Sequence, residues 1–129
     1  MFTTRPEILG TFGVVASTHW LASATGMAIL EKGGNAFDAG VATGFALQVV
    51  EPHLNGPGGE VPIILYDRKV GAMEVICGQG VSPAAATMEH YRSLGFDLMP
   101  GTGLLAATVP GAFDAWMLML RDHGTMNLE

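Results

Sequence analysis

Charge is scarce in this sequence: six Lys plus Arg and twelve Asp plus Glu make up 14% of 129 residues, where soluble domains carry about a quarter. Since 49% of the residues are hydrophobic, the chain has little polar material with which to clothe an isolated domain. A compact piece whose faces are partly covered by further protein is expected. Basic runs are absent as well, and the formal net charge of -6 leaves nothing to neutralise a phosphate backbone, so no nucleic-acid partner is expected. A single cysteine, Cys77, excludes an internal disulfide and any paired-cysteine zinc or redox module. Long apolar runs are missing too. The most apolar stretch, residues 36–50, contains Asp38 and Gln48 and falls short of the about twenty residues that cross a bilayer, so no membrane span is expected. Residues 1–13 carry Arg5, Pro6 and Glu7 where a secretory signal needs an apolar core, which leads to the expectation of a cytoplasmic location. The eighteen glycines follow no three-residue period, and the hydrophobic content argues against disorder.

What is present reads as strand, helix, helix, strand, strand, helix, helix. Residues 12–17 are β-branched enough for a short buried strand. Thr18 is placed to cap a helix beginning near Trp20, with Leu21, Ala24, Ala28 and Ile29 as its apolar stripe and Gly33 as its left-handed stop. Asn35 followed by Asp38 approximates a capping box for a second helix over 36–50, where Phe37, Val41, Phe45 and Val49 recur at helical spacing. Gly40 and Gly44 permit close approach of a neighbouring element; as a membrane-dimer motif they sit in too short a segment. Pro52 ends that helix, and residues 53–59 form a tight crossing loop. Residues 63–66 and 73–77 make a hairpin, 84–91 a helical segment begun by Ser82 or Pro83, and the last helix follows Pro110-Gly111. No linker or repeat divides the chain, which is expected to be one partial domain over 1–129. Two helices followed by a hairpin suit an α/β layered piece better than alternating nucleotide-binding units.

The chemically capable residues each have a structural alternative. Ser17, Thr18 and His19 combine hydroxyls with an imidazole, yet adjacency in sequence does not make an attacking geometry, and helix entry accounts for them. Glu51 and His53 lack a third ligand at telling spacing, so helix termination and loop hydrogen bonding account for this pair; no metal is expected. The run Gly56-Pro57-Gly58-Gly59 makes a turn or brings backbone amides close to a ligand. Cys77 reads as a small buried residue at a strand end, Trp20, Tyr91 and Trp116 as core or interface aromatics, and His90 and His123 as packing or surface groups. Glu60, Asp67 and Asp97 read as solvated or capping carboxylates. No cofactor is implied by any of these.

Several motifs together are more specific than any one of them. Leu21-Ala22-Ser23, Lys32-Gly33-Gly34-Asn35-Ala36-Phe37-Asp38-Ala39, Val50-Glu51-Pro52-His53, Gly56-Pro57-Gly58-Gly59, Tyr66-Asp67, Ser82-Pro83-Ala84-Ala85-Ala86-Thr87 and Thr108-Val109-Pro110-Gly111-Ala112-Phe113 resemble, in order and spacing, the N-terminal region of the large subunit in the gamma-glutamyltransferase family. The resemblance runs from about residue 13 almost to the end. It implies an N-terminal-nucleophile hydrolase: an α-β-β-α layered sandwich, of which this chain is an N-terminal fragment. It further implies an autoprocessing precursor whose small subunit begins with a nucleophilic threonine that attacks a gamma-glutamyl amide such as glutathione. On that basis the catalytic residues lie outside this chain. Its partners are the remaining large-subunit sequence, the small catalytic subunit of the same precursor and a small amide substrate.

One departure bears on the substrate. The family pattern has an Arg-Glu pair shortly before its Ala-Pro motif, and the resemblance gives that arginine the α-carboxylate of the donor. Counting back from Pro83 places Gln79 and Gly80 there. Glutamine donates a hydrogen bond but cannot supply a charged bidentate fork. Gln79 is therefore the candidate substrate-binding residue, with an ordinary loop residue as its alternative, and a related acylase or amidase stands beside the gamma-glutamyl enzyme. A noncatalytic structural or interaction domain that retains the scaffold is the reading from another class.

Overall fold

The computed structural model describes residues 6–128. Residues 1–5, the start of the stretch in which no apolar leader was found, lie outside the described residues, as does Glu129. The chain forms two compact units, one of residues up to 54 together with 119–129, the other of residues 55–118.

The first unit is built on two helices, α1 (Trp20–Glu31) and α2 (Ala36–Val50). The sequence placed both, with Gly33 at a φ of +93° just past the end of α1, where a left-handed residue stops a helix without a Cβ clash. Two details differ. Thr18 is not the cap of α1: Nδ1 of His19 accepts the N–H of Leu21, because the Thr18 hydroxyl donates instead to the Glu51 carboxylate, a charge-assisted bond that outcompetes a cap. Nor does the expected stripe of Leu21, Ala24, Ala28 and Ile29 supply the buried face of α1. That face is Ala22 and Gly26, one turn apart, while Leu21 is 41% exposed. A methyl at Gly26 would run into the Thr43 hydroxyl and come within 2.9 Å of Val15, so α1 meets α2 through small residues rather than interlocking large ones.

The N-terminus of α2 is more heavily tied than a capping box requires. Asn35 Oδ1 accepts the N–H groups of Phe37 and Asp38, and Asp38 returns the bond by accepting the Asn35 N–H at 2.7 Å. Beyond the box, the Asn35 amide donates to the carbonyl of His123 at 2.7 Å. Asp38 also accepts from the hydroxyl and N–H of Thr125 and from the N–H of Met126. A local cap thus doubles as the anchor for residues 123–126, which lie 87 to 88 positions away.

Residues 12–17, expected as a strand, have no ladder partner among the described residues. Their burial nevertheless alternates strictly, with Gly13, Val15 and Ser17 half-buried and Phe12, Val14 and Ala16 exposed, which is the two-residue period of an extended strand. The periodicity is present and the pairing is not.

The second unit contains the expected hairpin, β1 (Val61–Asp67) and β2 (Ala72–Gly78), antiparallel with Val61 opposite Gly78 and Asp67 opposite Ala72. The Asp67 carboxylate accepts the Lys69 N–H at 2.8 Å and its carbonyl the Gly71 N–H at 2.7 Å, closing the turn with side chain and backbone together. Ile63 and Leu65 on β1 and Ile76 on β2 supply the covered face. The opposite face is apolar and open: Ile64 and Val75, a direct cross-strand pair, are 72% and 69% exposed.

Helix α3 is shorter than the expected 84–91 segment. It spans Met88–Ser93, with the Thr87 hydroxyl accepting the His90 N–H, so a threonine inside the expected helix is in fact its start. The buried Tyr91 donates its hydroxyl to the Leu105 carbonyl at 2.6 Å, fixing a short 3₁₀ turn, Leu104–Ala106, against α3. Helix α4 spans Ala112–His123; its residues through Leu118 belong to this unit.

Candidate functional site

The chemistry-bearing residues of the second unit gather where the hairpin opens. Val61 and Gly78 form the last paired position. One step beyond it, in the same register, stand Glu60 and Gln79, and Gln79 Nε2 donates to Glu60 Oε2 at 3.2 Å. Paired residues of an antiparallel ladder share a face. By that alternation the Glu60/Gln79 pair continues the open face that carries Pro62/Cys77, Ile64/Val75 and Tyr66/Met73. The polar pair therefore caps one end of an apolar strip.

Backbone crossings hold this corner. Gly59 turns back on Gly56, its N–H donating to the Gly56 carbonyl at 3.0 Å, and its own carbonyl accepts the N–H groups of Gly111 and Ala112 at 3.3 and 3.1 Å. Those are donors that the start of α4 would otherwise leave unsatisfied. Val109 donates to the Val81 carbonyl at 2.9 Å, bringing residues 78–81 alongside 109–111. The approach is too close for side chains: a Cβ on Gly80 would overlap the Val109 carbonyl, and one on Gly111 would lie 2.6 Å from the Gly78 oxygen. Glycine is required here for space. With Gly78 and Gly80 pinned on either side, Gln79 projects from a fixed stretch of backbone, and Glu60 is fixed likewise between Gly59 and β1.

Cys77 corrects its sequence reading. It is exposed, because its partner across the ladder is Pro62 on the open face, and its sulfur lies 3.8 Å from Gln79 Oε1. Trp20 is 73% exposed, which excludes the core half of its core-or-interface reading. The Gly56–Gly59 run is a turn, as its composition suggested, and its carbonyl rather than its amides faces the neighbouring segment. Glu51 is engaged by Thr18 in the first unit, and His53 is exposed. Among the described residues no three His, Cys, Asp or Glu side chains are grouped to hold a metal ion, and no helix is long and apolar enough to cross a membrane. Glu60 is exposed, as its reading as a solvated carboxylate expected, and what the sequence did not show is its bond to Gln79, which follows from the hairpin register once the turn is known.

The model of the family described as gamma-glutamyltranspeptidase matches residues 22–129. The chain belongs to the gamma-glutamyltranspeptidase family. It is 40% identical over 123 residues to a glutathione hydrolase-like YwrD proenzyme of Bacillus subtilis (strain 168), covering 95% of this chain and 23% of that protein. Among solved structures, it resembles LmbA2991T421A with a TM-score of 0.93 and 69% identity over 99% of this chain and 22% of the other. It also resembles a cephalosporin acylase of Bacillus halodurans, with a TM-score of 0.88 and 34% identity over 97% and 23%. The chain thus forms part of the α-β-β-α sandwich of the gamma-glutamyltranspeptidase family and its acylase relatives, as the resemblance implied. The chain spans less than a quarter of the length of each of these three relatives.

Proposed function

We propose that this chain is the N-terminal part of the large subunit of an autoprocessing amide hydrolase or acyltransferase. The observation that carries the reading is the family match across residues 22–129. The Bacillus subtilis relative is named a proenzyme, which supports the processing element of the proposal. In this reading a threonine at the start of the small subunit attacks the amide carbonyl. Its α-amine takes up the hydroxyl proton, the leaving amine departs carrying a proton, and water or an acceptor amine then releases the acyl group. Hydrogen-bond donors around the carbonyl oxygen carry the developing negative charge.

This chain's own residues bind and orient. The corner closed by Gly59, Gly80 and Gly111 holds Gln79 on the open end of the hairpin, and we propose that Gln79 meets the donor through its amide. The donor is an amide compound in which gamma-glutamyl is one option among several, since the relatives include a glutathione hydrolase-like protein and a cephalosporin acylase. The absence of an arginine at position 79 favours the acylase or amidase side of that range.

The test is expression of the full coding sequence. Separation into two chains, with threonine as the new N-terminal residue by mass spectrometry, and hydrolysis of an amide donor by the processed protein are the expected results. A gene that encodes no such threonine, or a protein that neither cleaves itself nor turns over any amide, would leave the scaffold reading in its place.

A further inference from the structure

We infer that Glu60, acting as a pair with Gln79, selects the donor by charge, disfavouring an acyl group that ends in a carboxylate and favouring one that ends in an ammonium or neutral N–H group. The inference rests on the amide-hydrolase reading above and names the donor class of that site. Three observations carry it. Glu60 and Gln79 stand one step beyond the last ladder pair, Val61 and Gly78, and are bonded at 3.2 Å. Their backbones are pinned by crossings that leave no room for a methyl at Gly80 or Gly111. The basic residues of this hairpin, Arg68 and Lys69, lie in the turn at its far end, roughly 20 Å away for a seven-residue strand.

The consequences follow from donor and acceptor counting. A carboxylate only accepts, at about four lone-pair sites, and Gln79 occupies one of Glu60's. The remaining sites, exposed to solvent, can accept only from donors such as N–H or N–H⁺ groups. Gln79 in turn spends one amide hydrogen on Glu60 and presents its carbonyl oxygen toward Cys77 at 3.8 Å. The pair therefore offers a ligand mostly acceptors and one negative charge. An approaching carboxylate meets a like charge, whereas an ammonium finds a partner.

Three p-nitroanilides of matched length separate the cases, tested with the full-length processed protein: 4-aminobutanoyl, which ends in an ammonium; glutaryl, which ends in a carboxylate; and gamma-glutamyl, which carries both. The expected kcat/KM for the 4-aminobutanoyl compound exceeds that for glutaryl by on the order of ten-fold or more. Glu60→Gln should narrow the ratio mainly through KM with an unchanged melting temperature, while Glu60→Asp should retain the order. A glutaryl compound turned over as well as the ammonium compound, or a ratio unmoved by Glu60→Gln, would overturn the inference. Should none of the three react, calorimetric binding of 4-aminobutanamide and glutaramate decides separately. Preference for the former, lost in Glu60→Gln, sustains the charge selection whatever becomes of the amide-hydrolase reading, which the self-cleavage test decides; no preference removes the charge selection.

Discussion

Asp38 shows how much one side chain carries. It is 3% exposed and accepts four hydrogen bonds. Burial by itself raises its pKa, but the Thr125 hydroxyl and the N–H groups of Asn35, Met126 and Thr125 together outweigh burial and hold it below the ordinary aspartate value. A carboxyl depressed in the folded state stabilises above its unfolded pKa, and the contribution is lost as pH falls through the folded value. Asp38→Asn should therefore cost roughly 1.5–3 kcal/mol at neutral pH, with the gap to wild type closing in acid below about pH 4. Urea unfolding at several pH values reads this, and a gap that widens in acid would contradict it. At Gly80 the limit is space: Gly80→Ala should cost about 1–3 kcal/mol. Gly58→Ala, with nothing within 4 Å of its added methyl, should fall within about 0.5 kcal/mol of wild type. Equal melting temperatures for the two variants would refute the crossing.

At the scale of elements, both long helices, the hairpin and the last helix were legible, since each is signalled locally. Gly33 stops α1, Asn35 opens α2, and β-branched runs flank the Asp67 turn. Asn35→Ala is expected to destabilise α2 by about 0.5–2 kcal/mol, measured by thermal or denaturant unfolding. Because Asn35 Nδ2 also holds the His123 carbonyl, amide exchange should rise at residues 124–126 as well as in the first turn of α2. Exchange confined to α2 would count against that second role. What failed at this scale failed for nonlocal reasons. Thr18 had the right chemistry for a cap but is claimed by Glu51, 33 residues on. The apolar stripe of α1 had the right period, but closeness to Thr43 and Val15 selects Ala22 and Gly26 for burial.

At the scale of the whole molecule, the low charge content has a visible counterpart. Ile64, Tyr66, Met73 and Val75 stand 58% to 72% exposed on one sheet face, and residues 12–17 keep strand periodicity without a ladder partner among the described residues. Apolar faces and unpaired strands of this kind associate. Residues 1–129 expressed by themselves should form concentration-dependent oligomers in gel filtration. The cross-strand double variant Ile64→Lys, Val75→Glu should shift them toward monomer, and an unchanged elution profile would show that this face is not responsible.

The sequence by itself determined the family, the two caps around residues 33 to 38 and the hairpin, because these depend on neighbours within a few positions or on motif order along the chain. It also singled out position 79 as the departure. Only the tertiary structure decided that Glu60 faces Gln79, that Cys77 is exposed, and that Asp38 holds residues 125 and 126. Each depends on ladder register or on groups up to 88 positions apart, and a residue's local pattern carries no record of which distant donor will reach it once the chain has folded.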